Sequence, residues 1–518
     1  MRLEELLHDI EVSRSCGDLG VEITHLAYDS RLVGEGGLFF AVPGRRQDGR
    51  SFIADAEKRG AVAVVSSPDP GGQGPTTKAY VEVPEIRRVM ARMACRFYGE
   101  PSLGLNVIGI TGTNGKTTCT YLLESILREA GFTPGVIGTI GYRYRDRQVT
   151  AKVTTPESVD LQRLLAEMSA AGVTHVLVEV SSHGIDLHRV YGCHFACCVF
   201  TNLTRDHLDY HVTMEQYFEA KARLFTELLP SFDKKSPVAV INVEDPYGRR
   251  LKQACPVPVL SFHAKGPADY RIERLSATSL GISLTVATPD GRLELASPLL
   301  TEVNALNILA AVAAAGALGI PGSAIVEGVR RVEPVPGRLE KVWDEGGITV
   351  VVDYAHTPDA LERVLASLRT LVRGRLITVF GCGGDRDKGK RPLMGTASAR
   401  LSDIVIVTSD NPRSEPPAKI IEEIVQGIDA CQIPFKKPVQ LAAAAPAGGG
   451  KAYTCEVDRR EAIRLALTIA RAGDLVLIAG KGHETVQIIG EVAHPFSDQE
   501  EVRDAMRSIR AGGNACVN

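Results

Sequence analysis

The chain has 518 residues, 44% hydrophobic and 23% charged, with 50 glycines and a formal net charge of −3. That length exceeds what one hydrophobic core can serve and predicts a soluble α/β protein of about three domains; the composition excludes a fibre or a disordered tail, and the charge offers no electrostatic case for nucleic acid. The 11 cysteines are odd in number and scattered without a CxxC pair, so neither a disulfide framework nor a zinc site is indicated and a reducing cytoplasm is expected.

At the N-terminus, MRLEELLHDIEVSRS alternates charge with leucine and lacks the apolar core of a signal peptide, so export is not expected. Gly99-Glu100-Pro101-Ser102 reads as a linker. Beyond it, Leu103, Leu105, Val107, Ile108 and Ile110 form a strand-like run, followed by TGTNGKTT at 111–118 and a helical stretch ending at Gly131. Such a turn cradles phosphate. Backbone N–H groups around Gly112, Thr113, Asn114 and Gly115 converge on the anion, Lys116 reaches the β- and γ-phosphates, the Thr117 hydroxyl can hold Mg²⁺, and the helix N-terminus adds partial positive charge. The first glycine of the usual pattern would fall at 110, where the chain has Ile110, and the bland alternative is an ordinary glycine-rich strand-to-helix turn.

Continuous β-branched runs follow at 174–180, 198–203 and 238–242, then at 348–353, 376–380, 404–408 and 475–479, separated by helical stretches. They predict parallel sheets covered on both faces. Cys193, Cys197 and Cys198 read as strand packing, and 307–320 as a buried alanine-rich helix too short to span a membrane. A second linker is expected at Pro334-Val335-Pro336-Gly337, and AAAAPAGGG at 442–450 reads as a surface loop insertion.

Polar residues gather just beyond the C-terminal ends of these runs, where open parallel sheets bind ligands, and predict one cleft between the second and third blocks. Glu179 ends an apolar strand, where an ionised side chain needs a cation such as Mg²⁺. TNLTRDHLDYH at 201–211 supplies Asp206, His207, Asp209 and His211, with a solvated loop as the alternative for the last two. Lys221 shares a helical face with Phe218 and Phe225, so it either snorkels to water or, as a buried amine, reacts with CO₂ to become an anionic carbamate ligand. GCGGDRDKGKR at 381–391 lets Arg386 present a planar fork to a carboxylate or phosphate; DNPR at 410–413 and GKGHE at 480–484 are further candidates, or simple turn chemistry.

Taken in order, TGTNGKTT, EVSSHG at 179–184, TNLTRDHLDYH, the EAK that contains Lys221, DYAHTP at 353–358, GCGGDRDKGKRP and DNPR resemble the Mur ligase family over nearly the whole chain. Within it, the resemblance is closest to the branch that adds meso-diaminopimelate to a UDP-N-acetylmuramoyl dipeptide. It implies three domains: a small α/β UDP-binding domain (1–100), a central P-loop ATPase domain with a parallel sheet (101–335) and a Rossmann-like amino-acid-binding domain (336–518). It also implies a cytoplasmic monomer that performs ATP-driven amide formation through an acyl phosphate, with Mg²⁺ and a carbamylated lysine at Lys221.

Carried over by position, the resemblance gives Gly112, Thr113, Asn114, Gly115, Lys116, Thr117 and Thr118 to ATP phosphates and Thr117, Glu179, His207 and carbamylated Lys221 to magnesium, with Lys116, Lys221 and His207 as the catalytic set. Asn304, Asn307, Arg338, Asp353 and His356 fall on the rest of the nucleotide. The UDP-sugar dipeptide falls on Tyr28, Ser30, Arg45, Arg46, Gln47, Thr154, Thr155, Ser181, Leu187 and Arg189. The incoming amino acid falls on Arg386, Asp410, Asn411, Pro412, Arg413, Gly480 and Glu484. GlyArgArgGln at 44–47 departs from the His-Gln-Ala of some family members. Lysine-adding and folylpolyglutamate-type ligases are the near alternatives, against which DNPR speaks. A P-loop nucleotide switch is the distant one; a guanine-specific switch would want an AsnLysXxxAsp element, which the sequence lacks.

Overall fold

The computed structural model describes residues 1–44, 47–68, 77–151, 153–231, 236–278, 280–443 and 450–514, with the backbone alone at 442–443 and 511–514. Arg45, Arg46 and most of the 442–450 insertion lie outside the described residues. The chain forms two compact units, the first made of Met1–Leu203, Thr213–Tyr270 and Ala310–Gly328, the second of Thr204–Val212, Arg271–Leu309 and Val329–Asn518.

The first unit carries two sheets. The smaller runs in the order Arg14–Gly17, Ala79–Glu82, Ala61–Ser66, Gly37–Ala41, His25–Ala27, parallel except at its first pair. In the larger, six parallel strands run Val259–His263, Val238–Asn242, Phe195–Phe200, Asn106–Thr111, His175–Glu179, Pro134–Ile137, followed by the antiparallel Tyr142–Tyr144 and Arg147–Val149. Central strands are buried on both faces, as their unbroken Val/Ile runs require, and pack with Leu161, Leu165 and Phe225 in one core. Cys193, Cys197 and Cys198 are buried in it, as packing residues should be. Asn106–Thr111 and Phe195–Phe200 are neighbours, which sets the phosphate loop and the TNL segment side by side at one sheet edge.

The second unit contains an antiparallel meander ending Gly281–Thr288 and Gly291–Ser297, and a six-stranded sheet. That sheet runs Glu340–Glu345, Ile348–Asp353, Leu475–Ala479, Leu376–Phe380, Ile404–Val407, Ala452–Cys455, parallel after its first pair. Because its strands point the same way, Asp353, Gly381, Asp410 and Gly480 leave it at one edge. Beneath that edge Arg459 and Asp498, both 0% exposed, form a two-pronged ion pair at 2.8 Å, and Arg459 also donates to the carbonyls of Ser409 and Ala479. The alanine-rich helix spans Thr301–Ala317, and no helix among the described residues is long and apolar enough to cross a membrane.

Candidate functional site

In the first unit, the phosphate loop opens the helix Lys116–Glu129 and is strapped to the neighbouring strand end. The Thr113 and Asn114 amides donate to the backbone and side-chain oxygens of Asn202 at 2.9 Å each, and the Thr201 hydroxyl donates to Asn114 O at 2.6 Å. Gly112 has φ +145°, and a Cβ there would lie 2.0 Å from Thr201 Oγ1, so only glycine permits this approach. Lys116 Nζ folds over the loop, donating to Gly112 O at 2.8 Å and Thr113 O at 2.9 Å. Thr118 is buried behind it.

Glu179 is 1% exposed. It accepts from the hydroxyls of Thr117 (3.1 Å) and Thr139 (2.8 Å) and from the Thr139 amide (3.1 Å), so polar donors at the sheet edge offset its burial. The thiol of Cys119, buried with the Glu179 carboxylate nearby, is pushed up to about 12. Lys221 belongs to the helix Met214–Arg223 and is also 1% exposed, so it does not snorkel. Its Nζ lies 3.1 Å from Gly112 O, 3.5 Å from Thr111 Oγ1 and 4.8 Å above the Tyr217 ring. Glu179, at the end of the adjoining strand, and Lys221, on a helix, therefore both meet this loop. Among the described residues no three His, Cys, Asp or Glu side chains converge as a ready-made metal cage.

The residues expected on the UDP-sugar side lie in the same unit. Thr154 Oγ1 is 3.1 Å from Thr139 Oγ1, while Thr155 donates to Glu179 O at 2.8 Å and sits 3.1 Å from Ser181 Oγ. Ser181 caps the short helix Ser182–Asp186, which ends at Leu187. Arg189 donates to Thr155 O (3.0 Å) and Glu157 (3.0 Å from Nε), and Arg87 meets the same carboxylate at 3.2 Å. Tyr28 donates to Asp160 at 2.6 Å; burial, then this carboxylate, push its phenol well above the usual range. Ser30 is buried beside Asp55, whereas Gln47 is exposed.

His207 falls in the second unit, at the start of a one-turn helix with φ +53°, its Nε2 3.4 Å from Asp206. Asp209 and His211 lie on that helix, and His211 is buried. Asn304 donates to Leu300 O and receives a bond from Asn307, each 2.9 Å, so the two amides form one buried pair on the helix Thr301–Ala317. Asp353 is buried and its two oxygens accept from the amides of Leu339 (2.7 Å) and Ala355 (2.8 Å). Burial raises its pKa, opposed by Arg338. Arg338 stacks 4.6 Å over the Tyr354 ring, which is flanked by His356 and His483 with centroids at 4.6 and 5.2 Å. Burial lowers the pKa of both imidazoles, that of His483 to about 4.

DNPR and GKGHE come together at the same sheet edge. Asn411 donates to Glu484 Oε2 at 2.8 Å, and Lys481, 0% exposed, donates to Asn411 Oδ1 and Glu484 Oε2 at 3.0 Å each. Gly480, at φ +116°, brings its backbone so near Asp410 that a Cβ would sit 2.5 Å from Oδ2. Arg413 has φ +51°; its N–H donates to Ile488 O (3.1 Å), its carbonyl accepts from Gly490 N (2.8 Å), and NH1 donates to Gly384 O (2.7 Å). Pro412 is buried between these anchors. Arg386 is exposed, with its Cγ and Arg413 NH1 both near Gly383, 3.7 and 3.0 Å from where a Cβ would stand. Glu415 ties the two loops, accepting from the Asp385 amide and both Arg391 nitrogens, which hold it at about 2.

Sequence reasoning missed Thr139, Asn202, Glu157, Glu415 and Lys481. Asn202 and Lys481 stood inside segments already singled out, and Glu157 two residues beyond Thr155; their partners lie in distant parts of the chain.

Family models match three stretches: "Mur ligase family, catalytic domain" at residues 22–98, "Mur ligase middle domain" at 110–315 and "Mur ligase, glutamate ligase domain" at 337–482. The fold is thus α/β in three domains. The UDP-N-acetylmuramoyl-L-alanyl-D-glutamate–2,6-diaminopimelate ligases of Geobacter metallireducens and Geobacter sulfurreducens are 50% and 49% identical over 514 residues, covering 99% of this chain and all of theirs. A solved structure of a ligase bearing the same name matches with TM-score 0.69 and 35% identity, covering 98% of this chain and 99% of that one.

Proposed function

The chain belongs to the Mur ligase family, and we propose that it joins meso-diaminopimelate to UDP-N-acetylmuramoyl-L-alanyl-D-glutamate, converting ATP to ADP and phosphate, as a step in peptidoglycan precursor synthesis. The observation that carries this reading is the Asn411–Glu484 bond, which brings the turn bearing Arg413 and the turn bearing the Glu484 carboxylate together at one sheet edge. An amino acid with a further carboxylate and ammonium complements that pair. The domains extend over 1–100, 101–335 and 336–518. The described cysteines, all free, suit a cytoplasmic enzyme, which acts as a monomer.

The dipeptide's terminal glutamate carboxylate attacks the γ-phosphorus, the bond to the β-phosphate oxygen breaks, and ADP leaves an acyl phosphate. The amine then attacks the acyl carbon, and the tetrahedral intermediate expels phosphate as the amide forms. Gly112, Thr113, Asn114, Gly115, Lys116, Thr117 and Thr118 line the phosphates; the Thr113 and Asn114 amides hold the loop to Asn202, and Lys116 with the amides of Gly115–Thr118 neutralises charge at the transferring phosphoryl. Asn304, Asn307, Arg338, Asp353 and His356 orient the rest of the nucleotide. Tyr28, Ser30, Gln47, Thr154, Thr155, Ser181, Leu187 and Arg189, with Arg45 and Arg46, hold the UDP-sugar dipeptide. Arg386, Asp410, Asn411, Pro412, Arg413, Gly480 and Glu484 hold the amino acid.

Glu179 beside the Thr117 and Thr139 hydroxyls offers the hard oxygen donors Mg²⁺ prefers, and the loop leaves phosphates to complete its shell. Thr117, Glu179, His207 and carbamylated Lys221 would hold it; when bound it draws charge from the phosphate oxygens. For the carbamate, the neutral Lys221 amine adds to CO₂ and releases a proton. Burial favours the neutral amine.

Phosphate release tests the reading. It should require ATP, the UDP-linked dipeptide and meso-diaminopimelate together; release with ATP alone, as a nucleotide switch gives, would refute it.

A further inference from the structure

A lysine with no exposure is costly unless its charge is paired and its protons are bonded. Lys481 meets both conditions within the amino-acid pocket. The turn that carries it runs Gly480, Lys481, Gly482, with both glycines at positive φ, and it directs the side chain inward to Asn411 and Glu484. Both polar atoms of Asn411 are engaged: Oδ1 accepts from Lys481 Nζ (3.0 Å) and Ile488 N (2.9 Å), while Nδ2 donates to Glu484 Oε2 (2.8 Å). Glu484 Oε2 thereby receives two donors. With its side chain 30% exposed, Glu484 presents the remainder of its carboxylate outward.

We infer that Lys481 is a positioning residue for amino-acid recognition: it fixes Glu484 by one oxygen so that the other receives an ammonium of the incoming amino acid. Through Asn411 Oδ1 the same ammonium braces the DNPR turn, whose Arg413 is pinned to the adjoining Ile488–Gly490 backbone. One buried cation thus sets both the anionic and the cationic element of the pocket. The inference rests on the reading of this edge as the amino-acid site.

A double-mutant cycle on the full-length enzyme tests it, using Lys481→Met, Glu484→Gln and the double variant in the phosphate-release assay. Loss of a hydrogen bond to a charged group corresponds to about 10- to 100-fold, so Lys481→Met should raise KM for meso-diaminopimelate by that factor, with kcat at saturation and KM for ATP little changed. In the Glu484→Gln background the same substitution should add little, because its effect passes through that carboxylate. Lys481→Gln, which retains a shorter, uncharged donor, should fall between. Additive effects, an unchanged KM, or failure of both Lys481 variants to fold would overturn the inference, the last because it would assign Lys481 to the fold. If Glu484→Gln itself leaves KM for meso-diaminopimelate unchanged, the reading of the pocket fails instead.

Discussion

Lys221 Nζ lies 3.1 Å from the carbonyl oxygen of Gly112, so a helix lysine closes on the phosphate loop from behind. The helix places Lys221 and Tyr217 one turn apart, and Tyr217 Oη is 3.2 Å from Thr113 Oγ1, so the lysine and the tyrosine grip the same loop.

Lys221→Ala is expected to abolish most turnover while ATP still binds. Short carboxylic acids should restore part of the rate by supplying the anion that the proposed carbamate would provide. Turnover assays with and without acetate, beside equilibrium ATP binding, check this; full activity in the variant contradicts it.

Lys116→Ala removes the cation poised over Gly112 and Thr113. Loss of one such electrostatic contact costs about 10²–10³ in rate, and kcat at saturating ATP should fall by that amount with the thermal midpoint preserved. Wild-type kcat would show that the loop is not the phosphate site.

His175 is buried at the start of its strand against Phe132, with ring centroids 4.4 Å apart, and desolvation pushes its pKa from 6.5 down to about 4. The unfolded chain binds the proton first, so this contribution to stability is complete above pH 6.5 and is lost as the pH falls towards 4. His175→Gln should flatten the stability profile in that window, measured by urea unfolding at several pH values. An unchanged slope contradicts the assignment.

Arg459→Met strands the Asp498 carboxylate where neither side chain has any exposure. Breaking a buried pair from one side costs about 3–5 kcal/mol, and a urea midpoint should register it. A shift too small to measure would mean that the pair is dispensable.

Much of the fold was legible because central parallel strands bury both faces. The runs at 174–180, 348–353, 376–380 and 475–479 fall on His175–Glu179, Ile348–Asp353, Leu376–Phe380 and Leu475–Ala479. The meander from Tyr270 to Ser297 escapes a reading by continuous apolar runs, since polar residues such as Arg271, Glu273, Ser283, Thr285 and Glu294 interrupt each of its strands. Helical spacing exposed the oddity of Lys221, but only the neighbouring strands decide between water and the loop. Lys481 read as part of a turn, because its burial depends on Asn411, 70 residues away.

Arg413 is proposed to make this edge a site for an amino acid with a second carboxylate. Sites built to bond a polar group reject an analogue lacking it by about 10⁴–10⁵, so a panel of amino acids in the phosphate-release assay should show meso-diaminopimelate preferred over lysine on that scale. Arg413→Ala should raise KM for meso-diaminopimelate, narrow its advantage over lysine and leave KM for ATP little changed. Equal use of lysine by the wild-type enzyme, or an undiminished preference in Arg413→Ala, would contradict the account.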